Sequence, residues 1–130
     1  MEQQTVIPQL RITAAGRSLD FYVGGLGFTV DWTHQFEPGL PLFVRLTRAG
    51  QTLFLTEHTG DCEPGGAVYF VVPDVDRCFA EFRDRGVSAV HPPGETPWGT
   101  REMMLQDPDG NRLRFASERG RDAVEPNWTA

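Results

Sequence analysis

Three histidines, two cysteines and 18 carboxylates are the groups in this chain that could hold a metal, attack a carbon or move a proton. His34, His58 and His91 stand far apart, and no two of them have the short helical or strand spacing of a ligand pair. The combination that remains is His34 with the adjacent Glu57 and His58, which a fold would have to assemble from separate segments. Cys62 lies in a loop flanked by Pro and Gly and Cys78 in a helical pattern, so the two form neither a CxxC pair nor a disulfide framework and are expected to be reduced. Nucleophilic hydrolysis has no Gly-x-Ser-x-Gly elbow to start from, and neither cysteine has a context that activates a thiol. Gly24, Gly25 and Gly27 follow a helical pattern instead of opening one, which suits helix termination and not a phosphate loop.

The elements that must position these groups follow from periodicity and punctuation. Thr5 to Thr13 carries Val6, Ile7, Leu10 and Ile12 and reads as a strand, with Pro8 confining it to an edge. Leu19, Tyr22, Val23 and Leu26 fall on one face of a helix that the glycines end. Strands are expected over Phe28 to Thr33, Pro41 to Arg48 and Gln51 to Glu57, the last two joined at Ala49-Gly50 as a tight hairpin. After the loop Thr59 to Gly66 the order begins again: a strand over Ala67 to Val72, then a helix capped by Asp74 that carries Val75, Cys78, Phe79 and Phe82 up to Gly86. Strands follow near Val87 to Val90, Arg101 to Leu105 and Arg112 to Ala116, with Asp107-Pro108-Asp109-Gly110 as the turn between the last two.

This is an internal repeat with an offset of 60, since Ile7 maps to Ala67, Arg17 to Arg77, Tyr22 to Phe82 and Gly50 to Gly110. The expected fold is therefore α+β: one domain over residues 1–130, built from two tandem βαβββ modules at about 5–58 and 66–118, with a tail at 119–130. Two half-sheets with a helix on each outer face would leave their inner faces to form a cleft in a mixed sheet.

Composition bounds the partners. A chain of 130 residues with 39% hydrophobic residues can bury one real core. Its net charge of −6 has the wrong sign for phosphate backbones or anionic lipid, so neither nucleic acid nor a membrane surface is expected as a partner. No run approaches the roughly 20 apolar residues of a membrane span. Met1-Glu2-Gln3-Gln4 lacks the basic then apolar layout of a secretory signal, so a cytoplasmic location is expected and Asn127-Trp128-Thr129 is read as a chance glycosylation triplet.

Arg17-Ser18-Leu19-Asp20-Phe21-Tyr22, Leu26-Gly27-Phe28, Val72-Pro73-Asp74-Val75-Asp76 and Asp107-Pro108-Asp109-Gly110-Asn111 together resemble the vicinal oxygen chelate superfamily, over roughly Val6 to Glu118. That superfamily includes glyoxalase I, extradiol dioxygenases, fosfomycin-resistance enzymes and bleomycin-resistance proteins. Its enzymes usually take metal ligands from the first and last strands of each half. The matching positions in this chain are Ile7, Phe54, Ala67 and Arg114, none of which ligates a divalent metal in the ordinary way. Neither a metal nor any other cofactor is expected.

Loss of those ligands together with Pro97-Trp98-Gly99 looks like the bleomycin-resistance proteins, which sequester a drug without changing it. The resemblance implies a homodimer, with a strand-one arm that could be exchanged, and a small-molecule ligand such as a cationic glycopeptide antibiotic. Such a site needs flat aromatic faces and charged groups, which points to Trp98, Trp32, Phe36, Phe54 and Tyr69 for stacking, with Glu57 at the rim. Arg114 would need a carboxylate partner such as Glu57, or would bind an anionic group of the ligand. Two other readings stand beside this one. The first is a glyoxalase-like lyase or isomerase with an alternative metal site, and the second an interaction module that kept the fold without a small ligand.

Overall fold

The computed structural model describes residues 2–118; the tail 119–130, with Pro126, Trp128 and the Asn127 triplet, lies outside the described residues. The chain divides into two compact units. One comprises the residues up to Gly66 together with Asp107–Asn111, the other Ala67–Gln106 together with the residues from Arg112 on. The architecture is α+β, with one four-stranded mixed sheet in each unit.

In the first unit β1 (Gln9–Arg11) leads to α1 (Ala15–Leu19), which continues as a π-helical turn (Asp20–Gly25) before β2 (Thr29–His34), β3 (Phe43–Arg48) and β4 (Gln51–Thr56). The sheet order is β1-β4-β3-β2, with β1 parallel to β4 and the other pairs antiparallel. β1 is shorter than the expected run from Thr5 to Thr13. Pro8 has no N–H to give a ladder and contributes only its carbonyl, which accepts from Phe54 N at 2.9 Å.

The helix starts four residues ahead of the Leu19 pattern. Its N-cap Ala14 has no side-chain acceptor, and a distant carboxylate takes that role: Glu57 Oε2 accepts from Ala15 N at 2.8 Å. Leu26 N bonds Phe21 O, five residues back, and Gly27 at φ 79° then ends the helix. Ile12, Tyr22, Leu26, Phe28, Val44, Leu46, Leu53 and Leu55 supply the unit's buried apolar core.

The turn Asp107–Asn111 is built into this unit through side chains. Asp107 Oδ1 accepts from the backbone N–H of Asp109 and Asn111, each at 2.9 Å, and its Oδ2 accepts from Tyr22 Oη at 2.7 Å. Burial, reinforced by Asp107, pushes the Tyr22 phenol pKa far up, so it remains a donor. Asn111, fully buried, accepts from Gly65 N and Gly66 N at 3.1 and 2.9 Å and donates to Arg11 O and Asp107 Oδ2, both at 2.9 Å. A Cβ at Gly66 would stand 3.1 Å from Leu10 Cδ2, so the chain passes here too closely for a larger residue.

The second unit holds β5 (Ala67–Val71), α2 (Val75–Asp84), β6 (His91–Glu95), β7 (Thr100–Gln106) and β8 (Arg112–Glu118), in the sheet order β5-β8-β7-β6. Asp74 caps α2, accepting from Arg77 N at 3.2 Å, and Gly86 at φ 88° follows its end. Phe82 of α2 meets Phe115 of β8 edge-on at 5.1 Å, and Phe70 stacks on Phe115 at 4.4 Å, which fixes the face that the helix covers.

The strand expected at Val87 to Val90 forms instead at His91–Glu95. Val87 N is held by Phe82 O at the helix end. The run His91-Pro92-Pro93 is tolerated because β6 is an edge strand whose register shifts between His91 and Gly94. The repeat of 60 is met in the parallel pairs: Gln9 faces Phe54 as Tyr69 faces Arg114, and Leu10 faces Leu55 as Phe70 faces Phe115. Among the described residues, no helix is long and apolar enough to cross a membrane.

Candidate functional site

Each sheet buries one face and presents the other. In the second unit β8 turns Leu113, Phe115 and Ser117 inward, so Arg112, Arg114 and Ala116 alternate onto the opposite face. Pairing adds Ala67 and Tyr69 of β5 to that face, and Glu102 and Met104 of β7. Pro97-Trp98-Gly99 forms the turn between β6 and β7, with Gly99 at φ 91° allowing the tight return.

Glu102 is the hub of this face, with a side chain only 7% exposed. Its Oε2 accepts from Tyr69 Oη in a short hydrogen bond, from Thr100 Oγ1 at 2.8 Å and from Trp98 Nε1 at 3.1 Å. Arg114 Nη1 lies 3.6 Å from its Oε1. Burial alone would raise the Glu102 pKa. The hydrogen bonds from Tyr69, Thr100 and Trp98, with the charge of Arg114, outweigh it and hold the carboxyl below its usual range. Tyr69 shifts the other way, because burial and then its bond to Glu102 favour the protonated phenol. The carboxylate thus tethers two rings whose surfaces remain open, Trp98 at 58% exposure and Tyr69 at 48%.

The first unit presents a second aromatic face. Trp32 and Phe54 both pair with Arg45, which places all three on one side of the sheet with Phe43. The rings pack at 4.9 Å for Phe43–Phe54, 5.8 Å for Trp32–Phe54 and 5.9 Å for Trp32–Phe43. A bulge between Val30 and Trp32 turns Asp31 to the same side, where it accepts from Thr47 Oγ1 at 2.5 Å and lies 3.7 Å from Arg45 Nε. That Nε is buried and has no hydrogen-bond partner among the described residues. Phe36, 73% exposed, stands beside this face and packs edge-on against His34 at 4.8 Å and His58 at 6.2 Å.

The predicted residues therefore fall into three places. Trp98, Tyr69 and Arg114 meet at Glu102; Trp32 and Phe54 cluster on the first sheet, with Phe36 at its margin. Glu57 joins neither group: Oε2 caps α1 and Oε1 accepts from Leu42 N at 2.8 Å, so both oxygens serve the backbone. The carboxylate beside Arg114 is Glu102, which the sequence reading passed over. Its signal lay in strand alternation: the pairing of Met104 with Arg114 sets Glu102 diagonally across from it.

A divalent metal, which the fold's enzymes use, does not fit these residues. Of the four expected ligand positions, Phe54 pairs with Gln9 and not with Ile7, and Arg114 with Tyr69 while Ala67 pairs with Arg112; none of Ile7, Phe54, Ala67 and Arg114 offers an ordinary metal ligand. Glu102 is occupied by three donors, and in the alternative set of His34, Glu57 and His58 the carboxylate is taken by backbone N–H groups. Among the described residues no group of three or more His, Cys, Asp or Glu is arranged to hold a metal ion.

Against known proteins, a family model described as glyoxalase superfamily protein matches residues 1–122. Among curated proteins none matches the chain. Solved structures do. A member of the glyoxalase/bleomycin resistance protein/dioxygenase superfamily from Sphaerobacter thermophilus is 27% identical, with 88% of this chain and 98% of that one covered and a TM-score of 0.68. TnmS3, an antibiotic binding protein from Streptomyces sp. CB03234, is 25% identical, with coverage of 91% and 99% and a TM-score of 0.70. A bleomycin resistance determinant encoded on the transposon Tn5 shares the fold at a TM-score of 0.74 and 20% identity, with coverage of 91% and 100%.

Proposed function

This chain belongs to the glyoxalase superfamily, and on that premise we propose that it is a metal-independent binding protein that sequesters a small aromatic ligand, a drug or a metabolite, without altering it. The observation that carries the reading is Trp98. Its indole N–H is fixed to a buried carboxylate while 58% of the residue stays exposed, so the ring is held in place with its surface free. A ring already immobilised loses little entropy when a ligand stacks on it, which favours binding. Tyr69 on the same carboxylate and the Trp32, Phe43 and Phe54 cluster supply further flat surface. The likeness to an antibiotic binding protein points the same way.

The test is a tryptophan fluorescence titration of metal-free protein with copper-free bleomycin and with uncharged and charged tricyclic aromatics, with metal analysis on the same sample. Saturable quenching at low micromolar or tighter affinity, absence of stoichiometric metal and recovery of unchanged ligand are the expected results. No saturable response from any ring system up to high micromolar concentration would overturn the proposal.

A further inference from the structure

The charge of the ligand can be read from what the second sheet offers it. Glu102, 7% exposed, has Oε2 covered by Tyr69, Thr100 and Trp98 and Oε1 facing Arg114, so a visiting molecule does not meet a free carboxylate there. It meets Arg114, whose side chain is 48% exposed. The 3.6 Å between Nη1 and Glu102 Oε1 makes an ion pair but is too long for a good hydrogen bond. At that distance Glu102 leaves the N–H donors of this half-exposed guanidinium open to a further acceptor.

The setting of Arg114 matches one kind of ligand. β5–β8 pairing puts it directly opposite Tyr69, and Trp98 is fixed to the same carboxylate that it faces. Arg112 adds a second exposed guanidinium two residues along the same face of β8. Among the described residues the other carboxylate of that face, Glu118, pairs with Thr100 at the Trp98 end and stands four residues from Arg114, about 13 Å along an extended strand, so at Arg114 itself the exposed charge is positive. A cation stacking here would desolvate Arg114 against its own sign of charge, whereas an anionic oxygen would complete its donor fork. The overall charge of −6 acts at longer range and is screened beyond about 8 Å at physiological salt.

Resting on the proposed function, we infer that the ligand is a planar aromatic acid whose carboxylate or ionised phenol pairs with Arg114 while its rings lie against Trp98 and Tyr69. The ring faces select a flat molecule, and Arg114 selects its acidic edge.

The experiment compares three probes that share one ring system by equilibrium dialysis: anthracene-2-carboxylate, its near-isosteric anthracene-2-carboxamide, and the bulkier cation (anthracen-2-ylmethyl)trimethylammonium. Wild type is expected to bind the carboxylate about tenfold or more tightly than the carboxamide, with the cation weakest. Arg114→Gln should bring the carboxylate-to-carboxamide ratio towards one, and Arg114→Lys should keep part of it, since charge survives without the fork. The wild-type ratio tests the inference even if a variant does not fold. Equal binding of the three, or preference for the cation, overturns the acid preference and leaves the aromatic reading standing. Binding of none overturns the aromatic reading, and the acid preference with it.

Discussion

Glu102→Gln is the substitution that separates the forces at the hub. The side chain keeps its shape and one carbonyl oxygen, so Tyr69, Thr100 and Trp98 retain an acceptor but lose its charge. A hydrogen bond to a charged group contributes about 1.5–3 kcal/mol against about 0.5–1.5 for a neutral one, so three weakened bonds could cost about 3 kcal/mol. The amide NH2 would also face Arg114, where an oxygen now stands at 3.6 Å. Relief of the desolvation penalty of a buried charge opposes this, and because the lowered pKa means that the interactions outweigh burial, the net is a loss of about 1–2 kcal/mol at pH 7.

The sign with pH follows. A carboxyl whose folded pKa lies below its unfolded value of 4.5 is protonated first in the unfolded chain, so its contribution is present above that pH and is lost as the pH falls through the folded value. Urea unfolding of wild type and variant at pH 7 and at steps below pH 4.5 should give two curves that converge towards acid. A Gln variant as stable as wild type at pH 7, or a gap that widens in acid, would show that burial prevails at Glu102 and would refute the account.

Asn111→Ala should cost at least about 3 kcal/mol in the same assay, because it leaves Gly65 N, Gly66 N and Arg11 O without their buried partner. Ala49 sits at φ 50° and Gly50 at φ 80°, the positive pair of a type I′ hairpin, so Ala49→Asn should stabilise by about 0.5–1 kcal/mol, read as a raised Tm. Arg45→Met removes a buried Nε that has no hydrogen-bond partner, gives up a half-exposed ion pair with Asp31 at 3.7 Å that contributes little, and keeps a stem beside Trp32 and Phe54, so thermal unfolding should register no loss and a gain of up to about 1 kcal/mol.

Local signals were legible wherever one residue fixes the backbone. Asp74 caps α2, and Gly50, Gly86 and Gly110 take positive φ, as their residue types dictate, while Ala49 enters the hairpin at φ 50° against the preference of its own type. The repeat of 60 was legible for the same reason, since each half repeats the same punctuation. Less legible was anything decided by a distant partner. α1 begins at Ala15 because Glu57, 42 residues away in sequence, caps it. β6 forms across two prolines because it lies at a sheet edge. Glu102 gave no sign in its own neighbourhood, because its role arises from strand register and from three donors brought in by Tyr69, Trp98 and Thr100.

These differences explain why the motif that marks the family says little about the ligand. Asp107-Pro108-Asp109-Gly110-Asn111 is almost wholly engaged in building the first unit. Asp107 organises the turn and anchors Tyr22, Asn111 ties Gly65, Gly66 and Arg11 together, and Asp109 accepts from Thr13, Ser18 and Arg17. Such a turn can be shared by every member of a fold whatever it binds. The open sheet faces are under no such constraint, because exposed residues such as Trp98 and Arg114 can change without unmaking the core. Two chains with the same turn can therefore present opposite charges to their ligands. In this one the carboxylate is buried and tethers the rings while the guanidinium faces outward, an order that favours an acid over the cation that family resemblance alone suggests.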